Sequence, residues 1–96
     1  PPELQKPKLS YVALISKAIL DSPEQRLLLG EIYKYISTNF TYYRYIHDKA
    51  WKNSIRHNLS LNECFVKSGR APDGKGNYWG IHPACHESFR AGDFRR

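Results

Sequence analysis

The chain has 96 residues, 41% of them hydrophobic and 25% charged, the balance of one folded domain rather than of a disordered segment. No apolar run approaches the roughly 18 residues that a membrane-spanning helix needs. Two cysteines are too few for a disulfide scaffold and predict free thiols in a reducing compartment.

The net charge of +6, with a pI near 9.5, points to a polyanionic partner. It is unevenly placed. Residues 1–48 hold six Lys/Arg against five Asp/Glu, whereas residues 49–96 hold nine against four. A surface facing phosphates therefore has to be built from the second half. The chain begins without a Met or a visible signal peptide, as an excised domain would.

Residues 1–9 carry three prolines and little apolar pattern, which predicts an extended arm. Ser10 is a good N-cap, and Val12, Ile15 and Ile19, widened by Leu14 and Ala18, then predict a first helix over 11–20. Asp21-Ser22-Pro23 ends it, because proline disfavours helical backbone in the residue before it. Leu27-Leu28-Leu29 is too short for periodicity to decide and fits either a small strand or the lead-in to a helix. A second helix follows: Leu29, Ile32, Tyr33, Ile36 and Phe40 form one apolar face, with Gly30 able to cap its start. The tyrosine-rich stretch 41–47 reads as a connector. Asp48 can then cap a third helix over 49–61.

Beyond residue 61 the pattern changes. Cys64-Phe65-Val66-Lys67 and Asn77-Tyr78-Trp79-Gly80-Ile81 are short β-prone runs flanking a loop at 68–76. The expected architecture is mainly α with a small β-hairpin: three helices, then two or three antiparallel strands with wing loops. Residues 1–9 form the arm, 10–90 the winged-helix domain, and 91–96 the start of a second wing or basic tail.

The third helix carries the chemistry. At about 100° per residue, Trp51, Ile55 and Leu59 line one side, and Asn53, Arg56, His57 and Ser60 centre about 150° away. Asn can bond adenine bidentately, and Arg or His can donate to base-edge acceptors. Lys49, Lys52 and Ser54 suit phosphates, which hold register without reading sequence. An ordinary solvated face would mix Lys with Glu, and this helix contains no carboxylate. Asn58 points toward the core side and is expected on backbone rather than on a partner.

The run Trp51-Lys52-Asn53-Ser54-Ile55-Arg56-His57-Asn58-Leu59-Ser60-Leu61-Asn62 resembles the recognition-helix signature of the forkhead family. Similar matches lie at Ser10-Tyr11, Glu31-Ile32-Tyr33, Cys64-Phe65, Gly76-Asn77-Tyr78-Trp79 and His82-Pro83, so the resemblance covers about residues 6–96. It implies a monomeric winged-helix module of a nuclear transcription factor that binds double-stranded DNA at A/T-rich sites such as TAAACA. Asn53, Arg56 and His57 would read bases, and Ser60 would touch a base or the backbone. Leu9, Tyr11 and Trp79 would touch phosphates, and Tyr78 is placed with them. The chain departs from the family pattern at Lys8-Leu9, at Thr41 and in its short basic tail.

In the wing loop, Arg70 and Lys75 suit a phosphate backbone or a minor groove. Arg90, Arg95 and Arg96 suit phosphate contacts from the tail. Cys64, His82, Cys85 and His86 fit no common zinc spacing, and a free buried thiol is expected at Cys64. No cofactor, metal or catalytic set is expected. Other transcriptional proteins would be met through regions outside these residues. The alternative from another class is a winged helix whose basic face meets an acidic protein.

Overall fold

In the computed structural model, which describes residues 5–95, the first helix begins where Ser10 predicts. Helix α1 spans Tyr11–Asp21, and Ser10 Oγ accepts from the Ala13 amide at 3.1 Å, satisfying a donor that a helix start leaves unpaired. Leu14, Ile15, Ala18 and Ile19 are fully buried along one side. Leu27–Leu28 forms a two-residue strand, β1, that runs straight into helix α2, Leu29–Asn39. Gly30 is therefore inside α2 rather than its cap. Leu28 holds the cap position, and its amide donates to Glu31 Oε1 at 2.9 Å.

The stretch 41–47 corrects the expected connector. Thr41–Tyr45 folds into a short helix, α3. Tyr43 is buried, its ring centroid 5.2 Å from that of Trp51. Arg44 reaches back to cap α2, donating from Nε to the Ser37 carbonyl at 3.0 Å and from Nη2 to the Thr38 carbonyl at 2.6 Å. A cation on the last carbonyls of a helix complements its dipole. Helix α4 then spans Ala50–Leu61. The cap position falls on Lys49, one residue later than expected and without a side-chain cap; Asp48, just before it, takes the first amide of the helix, its Oδ1 accepting from Ala50 at 2.8 Å.

Strands β2, Phe65–Arg70, and β3, Asn77–Ile81, form the hairpin, and β1 pairs on the outer side of β3 to give the antiparallel order β1-β3-β2. Strand β2 is longer than its apolar run suggests. Arg70 pairs with Asn77 at the hairpin's end, so Arg70 belongs to a strand and the loop shrinks to 71–76. The extension crosses an irregularity at Gly69, whose φ is +100°, a conformation that favours glycine. A Cβ there would lie 2.8 Å from Arg26 Nη1, which donates to the Ser68 carbonyl at 2.9 Å.

A further helix, α5, spans Pro83–Arg90 and has no counterpart in the predicted elements. His82 caps it, its Nδ1 accepting from the Ala84 amide at 3.0 Å. Cys85 and Phe89, one turn apart, are its buried side. The expected free thiol at Cys64 is also corrected: Cys64 is bonded to Cys85 in a disulfide. Periodicity could not show this, because the partner lies on an element that only the tertiary fold brings alongside. One core unites these parts, with Leu14, Ile15, Ile32, Ile36, Trp51, Ile55, Leu59, Phe65 and Phe89 in a single cluster.

Candidate nucleic-acid interface

Trp51, Ile55 and Leu59 are buried at 4%, 0% and 2% exposure, so the rotation of α4 about its axis is set by its core side. That rotation leaves Asn53, Arg56, His57 and Ser60 exposed together on the opposite side. Two of them touch: Arg56 Nη2 donates to Asn53 Oδ1 at 2.9 Å. The partner is a neutral amide, so the guanidinium keeps its charge uncompensated and its other donors outward. Ser60 Oγ donates to the Arg56 carbonyl at 3.2 Å. Asn58 is on backbone as expected, its Nδ2 donating to the Ser54 carbonyl one turn back at 2.8 Å.

Helix α2 buttresses α4. The Tyr33 hydroxyl donates to the Lys52 carbonyl at 2.9 Å, and the Tyr33 ring meets Trp51 edge-on at 5.8 Å. Burial pushes the Tyr33 phenol above its ordinary pKa, opposed by the positive Arg56, so it stays a donor. The half-buried Lys52 lays its ammonium 5.5 Å from the Tyr33 ring centroid and 5.8 Å from that of Trp51. Lys49 is exposed, its Nζ donating to the Ile46 carbonyl at 2.9 Å. Both lysines flank the Asn53–Arg56 face, and Ser54 beside them is half-buried.

The remaining candidates fall into separate places. Trp79 lines a cleft with Lys67, Lys75, Asn77 and the start of α2. Lys67, directly opposite Trp79 across the hairpin, is a cation that the sequence patterning did not single out; its exposed slot in the β2 alternation is the signal that could have found it. Tyr78 points the other way, as neighbours on a strand do. Its ring lies under the Arg26 guanidinium at 4.1 Å, beside Glu24 and Glu31. The structure thus brings Trp79, but not Tyr78, to the lysines. Arg70 turns onto its own loop, Nη2 donating to the Gly74 carbonyl at 3.0 Å.

At the two ends of the domain, Leu9 is 39% exposed and lines a hollow with Lys17, Phe89, Arg90 and Phe94. Tyr11, half-buried, packs against the core. Arg90 is exposed on the last turn of α5. Arg95 grips Asp93, with Nε 3.0 Å from Oδ1 and Nη2 3.1 Å from Oδ2. Those hydrogen bonds hold the Asp93 carboxyl down at about 2. Arg96 and residues 1–4 of the arm lie outside the described residues. Among the described residues no cluster of three His, Cys, Asp or Glu could hold a metal, and no helix is long and apolar enough to cross a membrane.

Helices packed under a three-stranded wing, with one carboxylate-free helix face presented outward, define a winged-helix domain of the kind that engages nucleic acid. Comparison with known proteins specifies which kind. Residues 5–90 match the Forkhead domain family, and the chain belongs to it. It is 53% identical to Forkhead box protein I3-B of Danio rerio over 97 residues, covering 98% of this chain and 25% of that protein. Against Forkhead box protein B1 of Xenopus laevis it is 50% identical over 94 residues, covering 96% of this chain and 29% of that protein. Against Forkhead box protein F1 of Mus musculus the identity is 51% over 94 residues, with 96% and 25% covered. The chain spans between a quarter and a third of the length of these relatives. Membership of the Forkhead domain family makes these residues a domain that binds double-stranded DNA in a sequence-specific way.

Proposed function

We propose that this domain works as a monomer that inserts α4 into the major groove of a TAAACA-like site, within a nuclear transcription factor whose other regions meet its protein partners. One observation supports this most: the outward side of α4 gathers an amide, a guanidinium, an imidazole and a hydroxyl with no carboxylate among them. Asn53 and Arg56 contribute bidentate base contacts, each worth about 1–3 kcal/mol of discrimination, and His57 and Ser60 extend the same row. Lys49, Lys52 and Ser54 flank that row on the phosphate side.

The cleft of Trp79, Lys67 and Lys75 accepts a second stretch of backbone. Loop 71–76 carries Lys75 toward it, with Arg70 bracing the loop rather than extending from it. Leu9 and Tyr11, at the start of α1, meet the backbone through main-chain and hydroxyl donors. Arg95 and Arg96 add charge from the tail. These contacts displace counterions and so give a salt-dependent, sequence-blind affinity on which the α4 row superimposes selectivity.

The test is fluorescence anisotropy on a TAAACA duplex and a scrambled duplex over a salt series. The expected result is a preference of about a hundredfold that persists as both affinities fall with salt. Asn53→Ala and His57→Ala should flatten that preference. Lys52→Ala should weaken both duplexes alike and lower the salt slope by roughly one unit. Two curves that collapse together with salt would refute base reading and leave a basic surface for an acidic protein.

A further inference from the structure

Cys64 and Cys85 have no part in the DNA-facing surface, and their placement is unusual for a nuclear domain. Thiols in the nucleus are kept reduced, and disulfides there are transient and redox-sensing when they occur at all. Cys64 nevertheless sits at a junction of three elements. Its amide donates at 2.9 Å to Oδ1 of Asn62, the residue that ends α4. Its carbonyl accepts from the His82 amide at 2.7 Å, immediately before α5. Its neighbour Phe65 opens β2 opposite Ile81. Across this junction Cys85 is held in the first turn of α5, its amide donating to the His82 carbonyl at 2.9 Å. These hydrogen bonds bring the two backbones together where the disulfide forms, with the bonded pair's Cα atoms 5.8 Å apart, within the usual range of such bonds.

We propose that Cys64 and Cys85 form a reversible thiol–disulfide pair that sets how firmly α5 is docked. In the reduced form this eight-residue helix is held by Phe89, whose ring meets Phe65 at 5.8 Å and Phe94 at 5.1 Å. Oxidation adds a covalent tie to the end of α4, closing a loop that contains the whole β2–β3 hairpin. The step balances with glutathione disulfide as oxidant. One cysteine thiolate attacks it and releases glutathione, and the second thiolate displaces the other glutathione from the mixed disulfide. Two protons and two electrons leave the protein, and two reduced glutathiones result.

Cys64 and Cys85 are only 0% and 2% exposed, so the reagent reaches them when α5 swings away. The reaction is therefore gated by local opening rather than by collision at the surface.

The experiment equilibrates the wild-type domain in reduced and in oxidised glutathione buffers. Mass spectrometry of alkylated protein then reads the thiols, thermal melting reads stability, and hydrogen exchange reads residues 83–95. The oxidised form is expected to lose two alkylation sites, to melt on the order of 10 °C higher, and to exchange the α5 amides at least about tenfold more slowly. Cys85→Ala should melt identically in both buffers. If that variant does not fold, the wild-type comparison still decides. Two cysteines that remain alkylated after incubation with oxidant would overturn the proposal. So would a disulfide that forms without slowing exchange in α5.

Discussion

Arg56 on α4 and Arg95 in the tail are both exposed guanidiniums that hydrogen-bond to a neighbour three or two residues away. Their partners make them different. Asn53 gives Arg56 an oxygen without charge, so the pair remains cationic and orients both side chains outward. Asp93 gives Arg95 a full negative charge in a two-pronged grip, which cancels much of what a phosphate would feel. The supports differ as well: α4 is pinned by Trp51, Ile55 and Leu59, whereas the tail is held to the core by Phe94. A base-reading surface needs orientation and uncompensated charge at once, and α4 has both.

The comparison can be broken most severely at the anchor. Trp51→Ala removes the ring that Tyr33 and Tyr43 pack against and should cost about 3–5 kcal/mol, read from urea unfolding. Phe94→Ala should cost only about 1 kcal/mol by the same measurement, because its ring is half-buried and contacts Phe89 alone among the aromatic rings described. Equal costs would mean that the tail is as firmly built as α4.

The next effect in size is on selectivity. Arg56→Ala should remove about 1–3 kcal/mol of discrimination between the two duplexes and leave the melting temperature within a few degrees, since the side chain is exposed. A large loss of stability instead would recast Arg56 as a structural residue.

Tyr43→Phe sharpens the same contrast from inside. Neither the buried Tyr43 hydroxyl nor the Trp51 indole N–H beside it has a hydrogen-bond partner among the described residues. An unsatisfied buried polar group is costly, and burial accordingly raises the Tyr43 pKa, with Tyr11 and Tyr42 adding to it. Removing the hydroxyl should stabilise the domain by about 1 kcal/mol, measured by thermal unfolding. A destabilised variant would show that the hydroxyl has a partner in solution.

The smallest effect belongs to the tail. Asp93→Asn should free Arg95 and tighten binding to any duplex about twofold at low salt, vanishing at high salt. A gain confined to the TAAACA duplex would place Arg95 on a base instead of a phosphate.

Long periodic helices were readable from residue order because each commits several apolar side chains to one face. Ser10, Asp48 and the Trp51–Ile55–Leu59 row located α1 and α4 closely. Helices α3 and α5 were missed, having five and eight residues. Helices of one or about two turns contain too few apolar repeats to exceed chance, although His82-Pro83 with Cys85 and Phe89 was a faint signal of a capped, one-sided helix. Gly30 looked like a cap because glycine tolerates that position, yet the Glu31 carboxylate on the Leu28 amide moved the helix start upstream. Lys67 went unassigned since its role depends on what lies opposite it across the hairpin.

Residue order by itself determined the winged-helix class, the polarity of α4 and the identity of its outward row, since all follow from local periodicity and charge. Only the tertiary structure decided the rest: that Arg44 caps α2, that Arg70 braces its loop, and that Cys64 meets Cys85. The first two of those contacts turn on where a side chain folds back, and the last joins residues 21 positions apart. None carries a periodic signature, because each depends on how separate elements, or a chain turning upon itself, come to rest in space.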